Sequence, residues 1–372
     1  MRNLLGPTAL LMIVLGSAAV ARAEQRAVTD PAEVANIEIA AATVGPAAGT
    51  RDEKLEMVAL VYGPMPAGVA LTGDGRVFLT FPRWSDAAKW TAVELLKDGT
   101  LKAFPNEAAH DRKSGADAFD SAQGIDIDSK GRIWLLDPGS ATLRAFDGKT
   151  GERLKRIELS AEVKKVATYA NDVRVDPTRG PEGFAYVSDT AGGGVIVVDL
   201  STGDSWRRLN KSKSGRADEE VTAMVEGKPV AMRGNVDGIA LSPDGRTLYY
   251  HGLTRRELWA VPTDLLANRE SRDSDVDAGA KKIADKSSCA DGICADGDGR
   301  VYTTDYEDHA VRRVDPATGE VETIVQDARI LWPDAVWVHG GYVYVTTNQM
   351  NRNPRTPPFG IFRYPVDAKP TR

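Results

Sequence analysis

Six residues occupy the same place in a recurring motif: Ala67, Gln123, Asn171, Asp237, Asp291 and Asp334. Each stands immediately before a short apolar alternation. Five are polar and three are carboxylates. Carboxylates held close together repel unless a proton or a cation intervenes. An oxygen-rich donor set suits one hard divalent cation, Ca²⁺ or Mg²⁺ ahead of Zn²⁺ or Mn²⁺. Asp237, Asp291 and Asn171 are the candidate metal ligands. Gln123, Asn171 and Asp334 are candidate contacts for a small molecule. The competing reading is structural, because polar groups at a strand entrance commonly bond neighbouring backbone.

A second set closes each motif: Phe81, Asp137, Asp189, His251, Asp305 and Thr347, with Asn348 beside it. Aspartate there reads as a turn cap. His251 interrupts the aspartates, and a histidine can act as a general base near neutral pH. His251 and Asp237 are therefore the candidate catalytic residues. Trp84 and Tyr306 lie just past motif ends and are candidate rim residues for stacking a planar ligand; Trp134, Trp259, Trp332 and Trp337 read as core. Cys289 and Cys294 read as small buried thiols, without the histidines of a zinc site. The sequence contains no G-x-S-x-G elbow, P-loop, dinucleotide fingerprint or H-E-x-x-H spacing.

These positions acquire meaning only if something brings them together, and the repeat supplies it. The motif reads GVALTGDGRVFLTF from Gly68, GIDIDSKGRIWLLD from Gly124 and GIALSPDGRTLYYH from Gly238. It returns as GICADGDGRVYTTD from Gly292, with length variants from Asp172 and Ala335. Period-two alternation around a glycine turn specifies an antiparallel hairpin. Third and fourth strand-like runs follow, such as Ala310–Val314 and Val321–Val325. Six such units predict an all-β, six-bladed β-propeller with four-stranded antiparallel blades. Leu55–Val61 and Phe359–Tyr364 are expected to complete one blade from both chain ends. The ring positions would then meet at one end of the central axis.

Residues 55–372 are thus expected to form a single propeller domain. Residues 1–23 read as a signal peptide: Arg2, an apolar run Ala9–Val20, and Ala21-Arg22-Ala23 as cleavage site. Residues 24–54 are a lead-in without a core pattern that need not be ordered. Two charged insertions, 203–233 and 268–286, read as solvated loop between blades. The expected location is secreted or periplasmic, as a monomer with no membrane association after cleavage. The net charge of −6 carries no basic block, which argues against nucleic acid as a partner.

Further segments carry a resemblance. They are Phe81-Pro82-Arg83-Trp84, Ile133 to Gly139, Ala185 to Asp189 with Gly192 to Leu200, Glu257 to Thr263, and Leu331-Trp332-Pro333-Asp334. In this order, from about Met57 to about Tyr364, the chain resembles the yellow/major royal jelly proteins in their bacterial, dopachrome-tautomerase-related branch. That resemblance implies a secreted six-bladed propeller but no single reaction. A weaker one runs to the regucalcin/gluconolactonase propellers, which hydrolyse lactones with a divalent metal at the mouth. It places Asp237 and Asp291 on metal positions and Asn171 on a substrate position, but the first-blade Glu of that family is replaced around Ala67. The leading expectation is a propeller holding a small polar or aromatic molecule at its mouth. A metal-dependent lactonase- or esterase-like hydrolase and a dopachrome-type tautomerase are the alternatives.

Overall fold

Each motif folds as two strands around its turn in the computed structural model, which describes residues 24–34, 37, 39–84, 88–115, 117–165 and 167–371. The signal-peptide segment lies outside the described residues. Gly75, Gly245 and Gly299 take φ of 83°, 70° and 89° at the hairpin tips, a region costly for residues with a Cβ.

Blade one consists of Val69–Leu71, Val77–Thr80, Ala92–Leu95 and Leu101–Ala103, each antiparallel to the next. Blades two to five repeat this order from Ile125, Ala170, Val236 and Ala290. Blade six takes Pro333–His339, Tyr342–Thr347 and Phe359–Pro365 from the C-terminal part and Glu56–Tyr62 from the N-terminal part. Leu60 pairs with Gly360 and Met57 with Phe362, so both ends of the domain close the ring. The fold is a six-bladed β-propeller.

Three segments are more ordered than their composition suggests. The insertion 203–233, expected to be solvated loop, opens on Ser205–Arg208, the outer strand of blade three, with Trp206 buried. Arg26–Val28 of the lead-in pairs with Glu56–Tyr62 as a fifth strand of blade six. The insertion 268–286 contains a short helix, Asp273–Gly279, and the outer strand of blade four, Lys281–Asp285. That strand buries little more than Ala284, so its charges hid it from a pattern search.

Residues facing the neighbouring blade form the core, with Trp134, Trp332 and Trp337 almost wholly buried. Near the axis the blades approach too closely for side chains. A Cβ on Gly124 would lie 2.5 Å from the Asn171 carbonyl oxygen of the next blade, and one on Gly238 2.5 Å from that of Asp291. Gly292 meets the Asp334 carbonyl in the same way. Threonines tie the equivalent carbonyls at other ring positions: Thr80 Oγ1 donates to Gln123 O at 2.6 Å and Thr346 Oγ1 to Ala67 O at 2.6 Å. The second of these bonds joins blade six to blade one.

Gly124→Ala should therefore lower stability by about 1–3 kcal/mol through overpacking against a backbone atom. Gly73→Ala, where nothing stands within 4 Å, is the control. Urea midpoints measure both, and equal midpoints would contradict this account of the axial packing.

Candidate functional site

The start of every inner strand points at the axis, so the closed ring gathers residues far apart in sequence. Gln123, Asn171 and Asp237 are 7%, 8% and 4% exposed, and Ala67 completes this face without a polar group. A chain of hydrogen bonds runs through them. Trp84 Nε1 donates to the Tyr169 hydroxyl at 2.6 Å, and that hydroxyl donates to Gln123 Oε1. Gln123 Nε2 donates to Asn171 Oδ1; Asn171 Nδ2 donates to Asp237 Oδ1 at 2.6 Å and to Thr190 Oγ1 at 3.1 Å. On the other side, Trp332 Nε1 donates to Asp291 Oδ2 at 2.7 Å, and Asn348 Nδ2 donates to Asp334 Oδ2.

Asp237, Asp291 and Asp334 stand on three consecutive blades. Burial, followed by their mutual repulsion, raises Asp237 and Asp334 well above the ordinary carboxyl range. Burial also raises Asp291 to about 7, against the Trp332 hydrogen bond and with the charge of Asp172 adding to the rise. Asp237 and Asp291 are close enough to hydrogen-bond each other when one is protonated. Among the described residues no Lys or Arg neutralises any of the three. Asp172 lies one residue deeper, paired to Arg174 at 3.6 Å. Arg174 reaches from blade three to blade five, where Nη2 donates to Ile293 O at 2.8 Å.

The donor set does not suit a divalent cation. Asn171 turns its Nδ2, a donor, towards Asp237. Ala67 offers no side-chain ligand. Among the described residues no three His, Cys, Asp or Glu side chains group as a metal site.

The second ring is structural, and His251 does not belong to it. Asp137 accepts the backbone N–H groups of Asp120 (2.8 Å) and Ser121 (2.9 Å) and pairs with Arg144 at 3.6 Å. Asp189 accepts Tyr169 N at 2.9 Å and pairs with Arg207 at 2.6 Å. Asp305 caps Asp308 N and pairs with Arg312 at 2.7 Å. In blade four the equivalent residue is Gly252. It pairs with Val236, as Asp305 pairs with Ala290 and Asp189 with Ala170. Leu241 pairs with Leu248, whereas Ala295 pairs with Val301, so the blade-four turn is one residue longer. A one-residue slip moves a side chain to the other face of a strand. His251 therefore takes the place of Thr80, Thr304 and Thr346. It is buried, with Nδ1 against Gly252 O at 3.0 Å and Nε2 turned towards Gly238. Burial and then the nearby Lys286 charge push it down to about 3, so it is no base at the mouth.

Trp84 is a rim residue wired to the ring through Tyr169. Tyr306 is not: it is buried, stacked on Trp332 at 4.2 Å between centroids, and its hydroxyl donates to Leu253 O. Cys289 and Cys294 are both free and buried. The sequence reading missed Tyr169, Thr190, Asp172 and Arg174, and placed Trp332 in the core alone. Asp172 carried a signal, since the other copies place Gly or Ala there.

The profile described as Major royal jelly protein matches residues 120–356. This chain belongs to the major royal jelly protein family. Protein yellow of Drosophila madeirensis and of Drosophila melanogaster are each 28% identical over an alignment 243 residues long that covers 57% of this chain. The match spans 41% and 43% of those relatives, less than half their length. Among solved structures, a gluconolactonase from Xanthomonas campestris aligns over 87% of this chain and 98% of its own, with TM-score 0.52 and 15% identity. A protein described as a putative gluconolactonase aligns over 90% and 100%, with TM-score 0.55 and 15% identity. At that identity these two share the propeller fold with this royal-jelly-family chain, and the likeness extends no further.

The carboxyl cluster has a measurable consequence. Asp291 titrates at about 7 in the fold and at 3.8 in an exposed chain, so the folded state retains a proton that the unfolded chain releases. Its contribution to stability is full below 3.8 and is lost as pH rises to about 7. Buried neutral His110, at about 4, and His251, at about 3, tilt the total the other way below 6.5. The difference between wild type and Asp291→Asn isolates the carboxyl. From pH 5 to pH 8, Asp291→Asn should gain roughly 1–3 kcal/mol relative to wild type in urea unfolding. A difference that does not move with pH would refute the shifted carboxyl.

Proposed function

We propose that this chain is an exported binding protein whose central mouth holds a small molecule with a cationic head and an aromatic or polar body. One observation carries the reading: three carboxyls converge on consecutive blades with no basic side chain among the described residues to neutralise them. At neutral pH such a group must either hold protons or receive a cation. A compact ammonium can take the place of the proton while the surrounding amides fix its orientation.

The neighbourhood supports a ligand larger than an ion. Trp84 presents a partly exposed indole at the rim, held by Tyr169. Thr190, bonded to Asn171, also lines an adjoining cavity of about 650 Å³ with Gly234 and Asn235. Export is inferred from the leader pattern in residues 1–23 and from the family; among the described residues no helix is long and apolar enough to cross a membrane. A metal-dependent hydrolase gains nothing from the donor set, and a tautomerase reading rests on kinship alone, which does not carry chemistry.

Tyramine is a suitable probe, with one ammonium and one phenol ring. In calorimetric titrations it should bind at pH 8 and at least about tenfold more weakly at pH 5, where protons occupy the carboxyls. Asp291→Asn should abolish most of the pH 8 affinity. No binding at pH 8 by tyramine or by tryptamine would overturn the cationic-ligand reading.

A further inference from the structure

The insertion after blade three ends in a hairpin, Met224–Val225 paired with Lys228–Pro229, that belongs to no blade. Its turn residues Glu226 and Gly227 have φ of 49° and 73°, the two positive angles of a type I′ turn. Asn or Gly adopts the first position readily, whereas Glu does so only where its surroundings hold it.

Those surroundings are specific. Arg352 Nε donates to Glu226 Oε2 at 3.0 Å and its Nη2 to Oε1 at 2.5 Å, a two-point charge-assisted grip. Asn351 Nδ2 adds a bond to Oε2 at 2.7 Å. Arg352 is itself anchored on the lead-in through Ala41 O at 3.1 Å. At the base of the hairpin, Met224 N donates to Glu307 Oε1 at 2.8 Å.

The inner face of the hairpin leads to the ring. Ala223 and Val225 are buried in one apolar cluster with Leu253, Cys289, Tyr306 and Trp332. Trp332 holds φ 46°, an outlier for so bulky a residue, and its indole donates to Asp291. His309 and Gln349, also left-handed, flank the same loops: His309 Nδ1 meets Ile330 O at 3.1 Å and Gln349 N donates to Leu331 O at 3.3 Å. Three of the described left-handed non-glycine residues, His309, Trp332 and Gln349, thus stand around the Trp332 loop.

We propose that the 224–229 hairpin is a lid over the blade-five and blade-six side of the mouth, and that Glu226 is the positioning residue that latches it to Arg352. Closed, the lid fixes Trp332 and through it Asp291. Released, it lets a ligand enter or leave. The gating role rests on the reading of the mouth as a ligand site; the latch itself does not.

Glu226→Asn tests the latch without threatening the fold, because Asn-Gly is a favoured type I′ pair and only the carboxylate grip is lost. Arg352→Gln removes the same grip from the other side. Hydrogen–deuterium exchange of residues 221–231 should accelerate about tenfold in both variants, with blade-one amides unchanged. Stopped-flow association and dissociation of tyramine should accelerate together by about tenfold, leaving their ratio nearly constant. Unaltered exchange in both variants would overturn the latch. Faster exchange with unaltered tyramine rates would overturn the gate. Failure of tyramine to bind the wild type would count against the ligand reading, and the exchange result would still decide the latch.

Discussion

The structure depends on how closely six inner strands can approach one axis. The limiting contact is a glycine against a carbonyl oxygen of the next blade, at Gly124, Gly238 and Gly292. Because these residues have no Cβ, the carbonyls of Asn171, Asp291 and Asp334 can be brought in, and the side chains of the same residues are carried into the mouth with them. The packing that makes the ring small therefore also makes the site. Thr304 fixes the Asp334 carbonyl that Gly292 admits, and Thr80 and Thr346 hold the equivalent carbonyls of Gln123 and Ala67.

A small ring has an electrostatic cost. Buried carboxyls on adjacent blades cannot all ionise without compensation. The fold relieves part of this cost with neutral donors, Asn171, Trp332 and Asn348, rather than with basic side chains. Arginine is instead kept for the second ring, where it pairs with capping aspartates. The two rings look alike in sequence and do opposite work. Asp137, Asp189 and Asp305 hold loops, while Asp237, Asp291 and Asp334 have no cationic partner among the described residues.

Segments that look like decoration take part in this arrangement. The lead-in supplies a strand to blade six and a carbonyl to Arg352. The charged insertion after blade three ends in a hairpin that shares a buried cluster with Trp332, one hydrogen bond from Asp291. Their composition gave no hint of it, because the lead-in strand and the hairpin bury only small side chains such as Val28, Ala223 and Val225.

Alternation, turn glycines and the six-fold repeat determined the propeller, the closing strands and the identity of the acidic ring, since these follow from local pattern and from one rule repeated along the chain. The same pattern misplaced His251, because one extra residue in the blade-four turn reverses which face a side chain takes, and only strand pairing records that. It read the capping aspartates as caps from their place in the motif, but it could not name Arg144, Arg207 and Arg312 as their partners, because those pairings arise through strand pairing and blade packing. Nor could it find Tyr169, Thr190 or Arg174, which belong to the mouth through contacts between blades. Local sequence set which residues each blade offers; closure of the ring decided which of them meet, because only the closed ring fixes distances between blades.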